Sequence, residues 1–443
     1  MSAATALLGR LPLVGGRFRP DAGGDPELRI PDESKLLGVS LFFAIAATNI
    51  LTPLLPNIKD DFGISIATAG LVVSTYGFAR LLTDLPSGVA LERIGEQRVA
   101  LGGIALLLVG SVIGALSPSV EWLIVARISS GLGSGLMTAV ILTGLSWTAG
   151  ARNRGAVMSL FQLANNSGIA IYPLLGGAIG VLLGWRTTFV VCAVGAVVAG
   201  AILVPLLGRI EAGRKRDVVA GKVDTLEFEL SPRRRRVALG SVYSGVVANM
   251  VQRHGIRNTV LPLFAAAVLG LGSLEIASAI TLMSVVGIIV VTPGARLGDR
   301  IGRRRIVVAG LLVVAVGDLV FTQAASYWLF LVAAAVVGSG DFFSSSQTAL
   351  LSELVEPRLR ARVLTGYRFF VDIGALLGPL VLAAIFDGYG PYAAILTAVA
   401  VLVVAAVVNH VGVPGEAGLS RHARTATVGT TPAGASQGGR ITQ

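Results

Sequence analysis

Gly88-Val-Ala-Leu-Glu-Arg-Ile-Gly-Glu-Gln-Arg98 is a short polar hairpin set between two long apolar runs, and it returns later as Ala295-Arg-Leu-Gly-Asp-Arg-Ile-Gly-Arg-Arg-Arg305. Aligned on Glu92 with Asp299 and on Gly95 with Gly302, the copies lie 207 residues apart. Trp122 with Trp328, Arg154 with Arg360 and Pro173 with Pro379 repeat the spacing at 206 residues. Landmarks that recur in register along most of a chain indicate a duplicated unit.

The 443 residues are 53% hydrophobic and only 14% charged, and their mean hydropathy is +0.77. A soluble domain is about a quarter charged, so this chain lacks the polar surface to cover itself in water. Its apolar runs are long enough to cross roughly 30 Å of hydrocarbon at about 1.5 Å per helical residue. They predict spans at Leu36–Leu55, Ser65–Leu91, Val99–Leu116, Trp122–Ser146, Ala156–Leu183 and Thr187–Leu207. The second set is Val237–Phe264, Ser273–Gly294, Ile306–Gln323, Trp328–Leu350, Val363–Phe386 and Tyr392–Val408. Lys59-Asp-Asp61 reads as an outer loop. The expected fold is therefore an all-α membrane protein, with twelve transmembrane helices in two pseudo-symmetric six-helix bundles, residues 36–207 and 237–408. Parallel repeats of this kind hold a midplane site between them.

The net charge of +11 is a topology signal rather than a sign of nucleic-acid binding. With both termini inside, 29 of the 36 Lys and Arg fall in cytoplasmic segments, and only Lys59 and Arg186 fall outside. That asymmetry is what the positive-inside rule expects of a multi-pass plasma (inner) membrane protein. Residues 1–35 read as a cytoplasmic tail, because Gly9, Arg10 and Pro12 interrupt the apolar core a signal peptide needs. Residues 208–236, ending in Arg233-Arg-Arg-Arg236, read as a basic linker between the halves, drawn to acidic head groups. Residues 409–443 read as a disordered cytoplasmic tail. The single Cys192 excludes an intrachain disulfide.

The hairpin's physics fits a moving part. A small residue at Gly88 permits close helix approach, Gly95 permits a tight turn, and Glu92 can pair with a basic side chain. The alternative is a hairpin that only sets topology. Gly88, Glu92, Arg93, Gly95 and Arg98 resemble the loop signature of the major facilitator superfamily, and the likeness extends from Leu36 to Val408. Glu92 stands where that family usually has Asp, and the second copy has Ala295 for the first Gly but keeps Asp299, Arg300 and Gly302. The resemblance implies that Glu92 and Asp299 belong to gates that shut the cytoplasmic side in one conformation.

Leu123-Ile-Val-Ala-Arg127-Ile-Ser-Ser-Gly131-Leu-Gly133-Ser-Gly135 is similar to the family's fourth-span signature, with Ser130 for the usual Gln. An Arg within a span costs at least about 2.5 kcal/mol unless it meets a partner or water, so Arg127 should face the interior or snorkel outward. The resemblance implies a coupling role. Gly168-Ile-Ala-Ile-Tyr172-Pro173-Leu-Leu-Gly176-Gly177 resembles a signature that goes with drug:proton antiporters, with Tyr172 where Gly is usual, and Gly374-Ala-Leu-Leu-Gly378-Pro379 echoes it. Gly168, Pro173, Gly378 and Pro379 read as hinges or as an ordinary helix seam.

Intramembrane ionisable groups default to functional candidates. Arg80 with Asp84, and Arg368 with Asp372, share helix faces at i,i+4 and can neutralise themselves. Gln162 and Asn166 occupy the first-half positions matching Arg368 and Asp372, as on two walls of one cavity. Asp341 has no basic neighbour at i±3 or i±4 and is the first choice for a proton carrier, with Asp372 second. Asp318 reads as reaching water near a span end. Arg253 reads as cavity-facing and Arg257 as interfacial.

The expected function is secondary transport, with proton-coupled export of a small organic molecule or drug preferred. An importer or facilitator of a small polar or anionic nutrient is the alternative, and a membrane enzyme or receptor is a third. Five Arg against four Asp in the spans make an anionic or zwitterionic cargo as plausible as a cationic one. Three His and one Cys offer no clustered catalytic or metal ligands, and no phosphate-binding Gly-rich loop is present. No enzyme activity, cofactor, metal, nucleic acid or obligate protein partner is expected; the partners are the bilayer, a small molecule and protons.

Overall fold

A computed structural model describes residues 30–148, 153–214, 232–355 and 357–414. Most of both tails, Arg152 and linker residues 215–231 lie outside the described residues, as do the side chains of Asp84, Arg154 and Arg360. The described chain is helical, without a strand. In chain order, α1 is Asp32–Phe62, α2 Ile66–Ile94, α3 Glu96–Leu116, α4 Val120–Thr148, α5 Arg154–Leu183 and α6 Thr187–Arg214. Then follow α7 over 232–269, α8 Ser273–Ile301, α9 Arg303–Thr322, α10 Tyr327–Glu353, α11 Pro357–Tyr389 and α12 Pro391–Gly412. Among the described residues eleven helices are long and apolar enough to cross a membrane. α7 is long enough, but its middle carries Gln252, Arg253, His254, Arg257 and Asn258.

The duplication is written into the turns. The positive-φ glycines of the described chain are Gly63, Gly95, Gly184, Gly270, Gly302 and Gly390. They form three pairs, Gly63/Gly270, Gly95/Gly302 and Gly184/Gly390, separated by 207, 207 and 206 residues. Only glycine enters this region without a Cβ clash, so each pair marks the same reversal made twice. Buried apolar side chains likewise form two clusters. One is drawn from 37–207, and the other from 238–413 with Leu55 and Ala69 added.

Several boundaries differ from the sequence reading. α1 continues to Phe62, so Lys59-Asp-Asp61 is its last turn rather than a loop. Pro53 and Pro56 lack the N–H an α-helix needs, and the chain passes through a 3₁₀ turn at Thr52–Leu54 before resuming as helix. Asp61 then accepts from Trp185 Nε1 at 3.1 Å and Arg186 Nη1 at 2.7 Å, tying α1 to the start of α6. The linker's ends are helical too: 208–214 extend α6, and Arg233–Arg236 lie in the first turns of α7.

The two parts of the chain meet where α2 packs along α11 and α5 along α8. Glycines permit that approach: a Cβ on Gly70 would stand 2.6 Å from the Pro379 carbonyl oxygen, and one on Gly177 2.8 Å from that of Ser273. Toward the Gly63 end, Asn258 donates to Asn49 at 3.4 Å, Ser273 to Asn57, and Thr281 to the Ala170 carbonyl at 3.0 Å. At the opposite, hairpin end, a Cβ on Gly88 would meet nothing within 4 Å. The close approach expected at Gly88 is thus absent from this conformation.

Candidate functional site

Between the two clusters lies a cavity of about 730 Å³. Leu55 and Ile58 line it toward the Gly63 end, and Met158, Ser159 and Thr348 toward the hairpin end. α7 contributes Asn249, Arg253, His254, Arg257 and Asn258 to its polar lining. Val251–Val260 is widened to π-helical geometry. Pro262 cannot donate an N–H to Asn258, and the preceding turns take up the gap. This brings Arg253, His254, Arg257 and Asn258 to the cavity wall. Gly255 meanwhile lets α7 touch α11, since a Cβ there would be 2.7 Å from the Gly378 backbone.

Charged partners cross between helices. Arg80 Nε lies 3.5 Å from Asp372 Oδ1, joining α2 to α11. Asp372 thus meets an Arg on another helix as well as having Arg368 one turn away on its own, while the side chain of Asp84, the i,i+4 neighbour of Arg80, lies outside the described residues. Asp341 has a partner as well: Arg257 Nη1 lies 3.8 Å from its Oδ2. This corrects the reading of Asp341 as partnerless and of Arg257 as interfacial. Arg257 is 3% exposed, donates to the Ile280 carbonyl at 3.3 Å and to Ser284 Oγ, and reaches Asp341 from another helix. Asp318 is also misplaced by sequence reasoning. It is fully buried and accepts from Gln252 Nε2 at 3.0 Å, because α9 turns this residue into the second cluster rather than to water.

Arg127 is buried, donates to the Ala47 carbonyl at 2.7 Å, and stands 4.5 Å from the Tyr76 ring centroid. Tyr76 in turn shares a 2.6 Å hydrogen bond with Thr48. Arg253, Arg368, Asp372, Gln162, Asn166 and Arg127 all line the main cavity. Asp341 opens into a side niche that also touches Asn166 and Arg253. Tyr76, Asn49, Asn165 and Asn249 line the cavity too. The signal that could have found them is a polar side chain inside an apolar run, where burial without a partner is costly.

The hinge candidates pack tightly. A Cβ on Gly168 would lie 2.5 Å from Ile45 Cδ1, and one on Gly378 2.7 Å from the Val251 carbonyl oxygen. Pro173 and Pro379 lie inside α5 and α11, and both are buried. Tyr172 fills the place where a small residue was expected: its hydroxyl donates to the Phe42 carbonyl at 2.9 Å, and its ring stacks on Phe42. In the hairpins, Gly95 and Gly302 take φ of 84° and 102°. Glu92, Arg93, Asp299 and Arg300 are exposed. Asp299 pairs with Arg303 in its own hairpin at 3.0 Å, and Glu92 makes no ion pair among the described residues.

The sequence profile of the Major Facilitator Superfamily matches residues 37–288 and 254–434. The chain is 27% identical over 377 residues to a chloramphenicol resistance protein of Streptomyces lividans, covering 83% of this chain and 94% of that protein. It is 32% identical over 149 residues to a multidrug resistance protein B homologue of Mycobacterium tuberculosis, covering 33% of this chain but only 27% of that relative's length. Among solved structures, a bacterial homologue of the human lysosomal transporter Spinster, inward-facing and occupied, superposes with a TM-score of 0.68 at 18% identity. That match covers 88% of this chain and 97% of the other.

Proposed function

Because this chain belongs to the Major Facilitator Superfamily, we propose that it is a proton-coupled exporter of a small organic molecule, working by alternating access between two six-helix bundles. Counting the polar α7 as a span gives twelve, and the hairpin end, rich in Arg, faces the cytoplasm with both termini. In that orientation the conformation described above is inward-open. The hydrogen bonds at the Gly63 end hold the outside shut, and Gly88 and Glu92 await partners in the other state. Gly168, Pro173, Gly378 and Pro379 flex as the bundles rock; Gly95 and Gly302 keep the hairpins tight, while Glu92, Arg93, Asp299 and Arg300 form the inner gates.

The observation that carries the reading is the Arg80–Asp372 pair, which ties one bundle to the other on the cavity wall. A proton on Asp372 removes the charge that holds Arg80 and loosens the α2–α11 contact. A proton on Asp341 does the same for Arg257, with Arg127, Arg253, Arg368, Gln162 and Asn166 serving the shared pathway. Export is favoured over import by the span-five signature and by the names of the two relatives. The test uses everted membrane vesicles and a compound to which cells expressing the chain become resistant. Uptake into the vesicles should collapse on adding an uncoupler and should be lost in Asp372→Asn with Asp341→Asn. Uptake indifferent to both would sink the proposal.

A further inference from the structure

We infer that the cavity takes a small organic anion, an apolar body bearing a carboxylate, sulfonate or phosphonate head, with the head seated at Arg253. This rests on the transporter reading of the same cavity and adds the charge class of its cargo.

The argument begins with charge. The described main-cavity lining includes five guanidiniums, those of Arg80, Arg127, Arg253, Arg257 and Arg368, against the single carboxylate of Asp372. The side niche adds Asp341. Two carboxylates therefore stand against five guanidiniums, and each carboxylate already faces a named Arg: Asp372 faces Arg80, and Asp341 faces Arg257. Positive charge in a low-dielectric enclosure requires compensation. Nothing else described in the lining supplies a negative side chain.

Position singles out Arg253. Arg127 is engaged with the Ala47 carbonyl and the Tyr76 ring, and Arg257 with Ile280, Ser284 and Asp341. Arg253 lines both the main cavity and the niche, and it makes no hydrogen bond or ion pair among the described residues. Asn166 borders both spaces beside it, so a carboxylate or sulfonate there meets a planar two-pronged donor and a neutral amide together. Ile169, Ile288 and Val291 border both spaces as well, and supply the surface for an apolar body. A cationic drug would enter against like charge on several sides, which makes the same arrangement selective by repulsion as well as by attraction.

The experiment uses the full chain in lipid nanodiscs and pairs of probes matched in size: benzoate, benzenesulfonate and phenylphosphonate against phenyltrimethylammonium and benzyltrimethylammonium. Thermal unfolding is followed as each probe is titrated. The anions should raise the unfolding temperature and the cations should not, and Arg253→Gln should weaken the anion response at least tenfold in concentration while Arg253→Lys retains most of it. Stabilisation by the cations alone, no response to any anion, or an anion response unchanged in Arg253→Gln overturns the inference. Flux of the responding anion in proteoliposomes separates this from the proton reading. Anion binding with flux indifferent to a pH gradient keeps the cargo class and removes the coupling. Gradient-driven flux of the cations alone keeps the coupling and removes the cargo class.

Discussion

Asp318 is fully enclosed in α9, yet only Oδ1 has a hydrogen-bond partner, the Gln252 amide; Oδ2 has none among the described residues. A buried polar group left without a partner costs about 1–3 kcal/mol, whereas replacing both members of a pair by apolar groups is nearly neutral. Gln252→Leu should therefore lower the unfolding free energy by about 1–3 kcal/mol. Gln252→Leu with Asp318→Leu should recover most of that loss, measured by chemical or thermal unfolding in detergent as a double-mutant cycle. Additive losses would show that the two side chains do not act as a unit. The sequence reading placed Asp318 near water because depth along a span can be counted from its ends. Facing cannot be counted that way: α9 has hydrophobic residues all round, so nothing local says which side meets the second core.

The elements carry their own asymmetry between open and closed contacts. At Gly70 a Cβ would lie 2.3 Å from Ala383 Cβ and 2.6 Å from the Pro379 carbonyl, so Gly70→Ala must push α2 from α11. The expected cost is about 1–3 kcal/mol of stability, with transport lost as well. Gly88 lies on the same helix with nothing within 4 Å. Gly88→Val should leave the unfolding temperature of the purified protein nearly unchanged while lowering transport, if the proposed closed state is the one that brings a helix against that position. If Gly88→Val transports like the parent, the α2 end is not a closing surface. Glu92→Ala extends the test to the turn: transport should be abolished with topology intact, as read by accessibility of introduced cysteines on either side of the membrane. Normal transport would reduce the hairpin to an orienting device. Both hairpins were legible from their spacing, because a tight turn demands glycine locally. What each hairpin would touch as a gate was not legible, since a partner in another conformation would lie on a helix distant in sequence.

For the whole molecule, the conformation itself is testable. Ser273 and Asn57 share a hydrogen bond that joins the two parts of the chain at the Gly63 end. Cysteines placed at Asn57 and Ser273 and joined by a short thiol-specific linker should hold that end shut and stop transport, with activity restored by a reductant. Transport that survives complete cross-linking would show that this contact need not open. Length and hydropathy of the apolar runs, the 206–207-residue echo and the distribution of Arg determined, by themselves, a helical membrane protein built twice over. The reason is that bilayer thickness, turn geometry and charge placement act along the chain. The tertiary structure alone decided that Asp372 meets Arg80, that Asp341 meets Arg257, and that Arg253 stands at the junction of cavity and niche. Those choices depend on how helices far apart in sequence are rotated against one another. The widened turns of α7, set by Pro262 and by the close approach at Gly255, supply the part of that rotation that aims Arg253 and Arg257 at the site.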